Sequence, residues 1–164
     1  MAIMATHAMW FLPFVLPICL YVAFTDMAQM KITNQAVVLL ALVFVVIGFF
    51  LFPFSEYLWR LAALVIVLVV GIILNFAGAL GAGDAKFCAA AAPFIALGDL
   101  MPVMVLFMAT LLAAVVAHKT AKHTALRRLA PDWVSWENGK KFPMGLALGP
   151  ALAIYLIFGA LYGA

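Results

Sequence analysis

Charge is what this chain has least of: Asp, Glu, Lys and Arg together make up 9% of its 164 residues. A water-soluble domain carries about a quarter charged residues and is about half apolar. Here 70% of residues are hydrophobic and the mean hydropathy is +1.25. The scarcity excludes an ordinary soluble domain and implies an all-α, polytopic membrane protein, read as one domain over residues 1–164. Cysteine is nearly absent too. Cys19 and Cys88 sit singly in apolar stretches with no C-x-x-C pair, which argues against a zinc ribbon or a dithiol centre and leaves both as small hydrophobes. Of the three histidines, His118 and His123 are five apart beside Lys119 and Lys122, a poor spacing for a shared metal. No metal and no other cofactor is expected. The N-terminus lacks a cationic region and a clear A-x-A site, so the first apolar run reads as a retained span rather than a removable signal. Most basic residues fall in one short loop between apolar segments, which argues against a nucleic-acid partner.

What the chain does have is long apolar runs. About 17–25 helical residues cross the roughly 30 Å hydrocarbon layer, and candidates lie at about 8–25, 35–54, 59–80, 101–118 and 142–162. A sixth, 85–99, is short, rich in small residues (Cys88, Ala89 to Ala92) and interrupted by Pro93. If it crosses, Lys31, Lys86, Lys119, Lys122, Arg127, Arg128, Lys140 and Lys141 share one side and only Arg60 lies opposite. If it does not, the split is two against seven. The first arrangement fits the preference of basic residues for the cytoplasmic side, so about six transmembrane helices are expected, both termini outside. Trp10, Tyr57, Trp59 and Tyr162 then fall near the outer interface, where amphipathic rings favour the headgroups. Trp133 and Trp136, in the loop at 119–141, read as lipid-headgroup anchors. On the last helix, Gly145-x-x-x-Gly149 and Gly159-x-x-x-Gly163 predict close backbone approach.

The acidic residues carry the chemistry. Residues 78–87 read G-A-L-G-A-G-D-A-K-F, placing Asp84 where a long apolar run ends. An ionisable group there costs about 2.5–3.5 kcal/mol on insertion scales, which makes it a functional candidate. Gly81 and Gly83 would let an extended peptide approach without obstruction. The plainer alternative is that the glycines end one helix and Asp84 caps the next. Lys86, two residues on, does not face Asp84 on a helix and is expected to snorkel. Asp26 ends the first apolar segment at the same predicted face. Alone it reads as a solvated interfacial aspartate, with Asn34 as the N-cap of the second helix. Paired with Asp84 it suggests a shared-proton dyad: the ionised partner draws a proton from an attacking water while the protonated one donates to the peptide carbonyl. Glu56 and Asp99 read as solvated outer-loop charges and Asn75 as an interhelical polar contact. Two other classes remain open. A small proton-coupled transporter predicts carboxylates near the bilayer midplane, and a non-catalytic assembly scaffold predicts that both aspartates tolerate asparagine.

The motif G-A-G-D-A-K at 81–86 resembles the G-x-G-D-x-K motif of type IV prepilin leader peptidases. In that family a first aspartate ends helix one, followed by a basic residue and I-P-N. Asp26, Lys31, Ile32 and Asn34 match, with Thr33 where proline is usual. F-P-M-G-L-A-L-G at 142–149 is similar to the family's P-x-G-x-A pattern through Pro143, Gly145 and Ala147. The resemblance implies an aspartyl endopeptidase of a bacterial inner membrane. Its dyad would be Asp26 and Asp84, supported by Gly81, Gly83, Lys86, Lys31, Asn34, Pro143 and Gly145. It would remove a short basic leader from prepilins or pseudopilins at the cytoplasmic face. The absence of an N-terminal extension with paired cysteines is similar to the short, peptidase-only branch associated with Flp/Tad pili. The P-M-G element departs from the P-A-L of presenilin-like proteases.

Overall fold

The computed structural model describes residues 1–124, 127–128, 130–137 and 142–164; Lys140 and Lys141 of the predicted basic face lie outside the described residues. Among the described residues, five helices are long and apolar enough to cross a membrane. They are α1 (Ala5–Gln29), α2 (Asn34–Leu51), α3 (Phe54–Phe76), α5 (Leu100–His123) and α6 (Gly145–Tyr162). Between α3 and α5 the chain forms the short α4 (Ala82–Ala91) and two 3-10 turns, Ala92–Phe94 and Leu97–Asp99. No strand is present among the described residues.

The candidate sixth segment is therefore a broken one. Pro93 lacks an N–H and weakens an α-helix at its position, and Ile95 and Ala96 are extended. Its path still traverses the bundle. Asp84 shares a cavity with Asp26 near the end of α1, whereas Asp99 accepts hydrogen bonds from the N–H groups of Ala2 and Ile3 before the start of α1. Six traverses result, and Ala164 and Ile3 are hydrogen-bonded at one end.

The α1–α6 pair is the tightest in the bundle, for the reason the glycine spacing predicted. A Cβ on Gly149 would lie 2.6 Å from the Cys19 carbonyl oxygen, and one on Gly159 would lie 2.8 Å from Ile3. Gly71 does the same for α3 and α4, where a Cβ would meet Ala85 at 2.9 Å. The end of the bundle away from Asp26 is closed by aromatics. Phe11, Phe44 and Phe94 are fully buried; Phe94 meets the other two edge-on at 4.9 and 5.3 Å. Arg60 seals that end. It pairs with Glu56 at 2.9 Å, donates to the Pro93 carbonyl at 2.9 Å and lies 4.1 Å over the Phe52 ring. Those bonds satisfy carbonyls that the broken segment would otherwise leave bare in an apolar layer.

Five sequence expectations change. Asp99 is not a solvated loop charge: it is 2% exposed and also accepts from the Tyr155 hydroxyl at 3.0 Å. Asn75 is exposed and donates to the Leu80 carbonyl of its own connection rather than to another helix. The α2 N-cap is Thr33, whose side chain accepts from the Ala36 N–H, not Asn34. Trp136 is buried and donates to the Ala130 carbonyl, so it cannot lie among headgroups. Tyr57, expected at the interface, turns inward to the Val45 carbonyl, while Trp10, Trp59 and Tyr162 are exposed.

Candidate active site

Asp26 lies in the last turn of α1, one turn before the helix stops. The stop is made by Met30, at φ 54° and ψ 38°, whose N–H returns to the Asp26 carbonyl. Left-handed backbone is uncommon for a residue with a side chain. Here it bends Met30, Lys31 and Ile32 into one wall of a cavity of about 270 Å³. Gly81, Ala82, Gly83 and Asp84 form the facing wall, and Phe142 and Met144 close the side leading to α6. Both carboxylates thus line a single cavity.

Each aspartate is held by glycine. The Gly145 N–H, at the first position of α6, donates to Asp26 Oδ2 at 2.6 Å. A helix N-terminus presents unsatisfied N–H groups and positive potential to such an acceptor. Gly145 must be glycine for the approach, since a Cβ would lie 2.9 Å from Asp26 Cβ. Asp84 sits in the first turn of α4, whose N-cap is Gly81 rather than the aspartate itself. Gly83 makes room for the turn after α1, because a Cβ there would lie 3.2 Å from Ile32 Cβ. The two glycines of the motif therefore have different uses. Gly81 leaves room for the Asp84 carboxylate, whose Oδ2 a Cβ there would meet at 2.5 Å, while Gly83 lets the two walls meet.

Asp84 lies outside the long spans, and its carboxyl is pushed up to about 6. Burial is the largest cause, the nearby charge of Asp26 the second, and the Gly81 main chain pulls weakly the other way. A carboxyl raised in this way holds a proton that an exposed aspartate would have lost.

The structure brings most of the sequence-predicted residues to this end but divides their places. Asp26, Asp84, Gly81, Gly83 and Lys31 line the cavity. Lys86 and Asn34 are joined outside it, Lys86 Nζ donating to Asn34 Oδ1 at 3.0 Å, which ties α4 to the start of α2. Pro143 is buried behind the wall, and its carbonyl accepts from the Leu146 N–H to start α6. Sequence reasoning missed Met30, Phe142 and Met144. Phe142 adjoins the Pro143–Gly145 pattern and could have been found from it. Met30 carries no signal, since nothing in its type announces a left-handed backbone. Among the described residues, no cluster of three or more His, Cys, Asp or Glu could hold a metal ion.

An all-helical membrane protein whose distant helix ends bring two carboxylates into one glycine-lined cavity defines the class. A family model for the type IV leader peptidase family matches residues 13–118, a stretch that contains both aspartates. The chain belongs to that family. Comparison with curated proteins and with solved structures gives no match.

Proposed function

We propose that this protein is an aspartyl endopeptidase that removes the leader from type IV, Flp-like prepilins, with Asp26 and Asp84 as its catalytic dyad. The observation that carries this reading is the convergence of the two carboxylates on one cavity from separate helices. Asp84, with its raised pKa, holds the proton and donates it to the carbonyl oxygen of the scissile peptide. Asp26 keeps one oxygen fixed by Gly145 and takes a proton from the water that attacks the carbonyl carbon. Collapse of the tetrahedral intermediate breaks the C–N bond as the amine leaves with a proton. The dyad then returns to one shared proton.

Lys31 and Lys86 lie at the end of the bundle that bears the dyad, and Arg60 packs against Pro93 and Ile95 toward the other. Basic residues favour the cytoplasm, so cleavage takes place at the cytoplasmic face of a bacterial inner membrane, with membrane lipid as the surrounding partner. The proton-transporter alternative is disfavoured because both carboxylates lie at helix ends rather than at mid-span.

The test is cleavage of a prepilin by purified wild type, Asp26→Asn and Asp84→Asn. Each variant should insert normally and lose cleavage by about 10²–10⁴-fold, the contribution of a positioned acid or base. Near-normal processing by either variant would refute the dyad, and absence of cleavage by wild type would favour a scaffold.

A further inference from the structure

One chain of aromatic contacts at this end of the bundle has no part in the chemistry above. Phe24 of α1 meets Trp133 edge-on at 5.7 Å. Trp133 stacks on Trp136 at 5.7 Å, and Trp136 stacks on His118 of α5 at 5.1 Å. His118 then meets Phe142 edge-on at 5.8 Å and 86°. Phe142 lines the cavity that holds both aspartates. Thus α1, the connection at Val134–Trp136 and α5 are linked by ring faces to one side chain of the cavity wall.

The place of His118 makes its identity informative. α5 buries only Thr110, Ala114 and His118, a single stripe spaced by four residues. A branched aliphatic would fill the third place with no polar atom to satisfy. The imidazole instead supplies a flat ring with one face for the Trp136 indole and an edge for Phe142. Its Nε2 has no hydrogen-bond partner among the described residues, so the ring's shape is what its neighbours use.

We propose that Phe142 is a substrate-contacting, specificity-determining wall and that His118 is a positioning residue acting through it. The wall meets an apolar side chain of the peptide next to the scissile bond, in the cavity that Met30, Ile32 and Met144 also line. His118 and Trp136 prevent the Phe142 ring from swinging out of the cavity. This inference rests on the peptidase reading for its substrate.

The test uses a labelled synthetic peptide with a lysine-rich leader joined to an apolar helix of about twenty residues, its binding measured on full-length protein carrying Asp84→Asn. His118→Ala and Phe142→Ala should each weaken binding roughly 3–10-fold, the range for one aromatic pair. The double variant should be no weaker than Phe142→Ala alone, because contacting residues couple. His118→Phe should restore affinity, and in the cleaving wild-type background His118→Ala should raise KM with little change in kcat. Should His118→Ala be recovered unfolded, His118→Leu, which fills the space without a flat ring, takes its place. Additive losses, or binding indifferent to Phe142, would overturn the wall while leaving the peptidase standing. Binding that depends on Phe142 without cleavage by wild type would overturn the peptidase and leave the wall. Absence of measurable binding would overturn the wall.

Discussion

Replacing Gly145 by alanine adds one methyl group at the point where α6 touches Asp26. The added Cβ would lie 2.9 Å from Asp26 Cβ, 3.0 Å from Oδ2 and 3.2 Å from Cγ. No carboxylate rotation relieves all three contacts, because the nearest atom is the Cβ itself. Either α6 or the end of α1 must retreat, and the 2.6 Å N–H bond to Oδ2 lengthens with it. Overpacking of this kind destabilises by about 1–3 kcal/mol. Activity suffers more, since a displacement of about 1 Å in a reacting group lowers the rate by up to about 100-fold. Purified Gly145→Ala should therefore cleave prepilin with kcat lowered about 10–100-fold, and because Met144 and Phe142 adjoin the shifted residue, peptide affinity should fall by less than kcat does. Cleavage kinetics, a binding isotherm and a melting curve in the same detergent separate the effects. A kcat within twofold of wild type would refute the idea that Gly145 sets the carboxylate.

The other predictions concern protonation and packing. A raised folded-state pKa means that the native state binds this proton more tightly than the unfolded chain, so the contribution of Asp84 to stability falls as pH rises from about 4 to about 6 and is flat above. As the acid of the dyad it also loses its proton there, so kcat/KM should decline as pH rises through about 6, and a flat profile from pH 5 to 8 would exclude Asp84 as the proton donor. Because the charge of Asp26 is the second cause of that shift, Asp26→Asn should lower the Asp84 pKa, read from its carboxyl infrared band; an unchanged titration would mean that the two groups do not interact. Gly149→Ala places a Cβ 2.6 Å from the Cys19 carbonyl oxygen and should lower stability by about 1–3 kcal/mol in thermal unfolding, with an unchanged midpoint counting against close α1–α6 packing. Asp99→Ala removes the acceptor for Ala2, Ile3 and Tyr155 and leaves the buried Ile3 and Tyr155 donors unpaired at about 1–3 kcal/mol each; a melting midpoint equal to wild type would show that water replaces the carboxylate.

The parts of this molecule legible in sequence are those where one residue type has one physical use. Long apolar runs could only be spans, whereas each helix-ending aspartate taken alone also read as a cap or a solvated charge, and only the pair pointed to chemistry. The glycines at 145, 149 and 159 announced close approach, which the structure realises at Asp26, Cys19 and Ile3. Asp99 was misread because an acid after Gly98 resembles any exposed turn; its three donors come from Ala2, Ile3 and Tyr155, remote in sequence. Trp136 was misread for a related reason. An indole beside basic residues has the composition of a headgroup anchor, and only the stack on His118 reveals a buried role. The break at 92–99 was half legible: Pro93 predicted an interruption, whereas the bonds from Arg60 to the Pro93 and Ile95 carbonyls could not be read from spacing.

That broken segment also explains why the two ends of the bundle behave differently. An aspartyl dyad needs water and an unfolded stretch of peptide, both of which a continuous apolar helix excludes. The chain meets this by making α4 only ten residues long and preceding it with Gly81, after an exposed stretch from Ile72 to Ala79 at the end of α3 and the turn that follows. The missing helical hydrogen bonds are then gathered at the far end, where Arg60 and Tyr155 supply partners, Asp99 accepts from Tyr155 and buried aromatics pack nearby. Proteins open locally where few apolar contacts resist it, so hydrogen exchange should be fast at residues 77–84 and slow at 94–99. The reverse order would mean that the closed aromatic end, not the glycine end, admits the substrate.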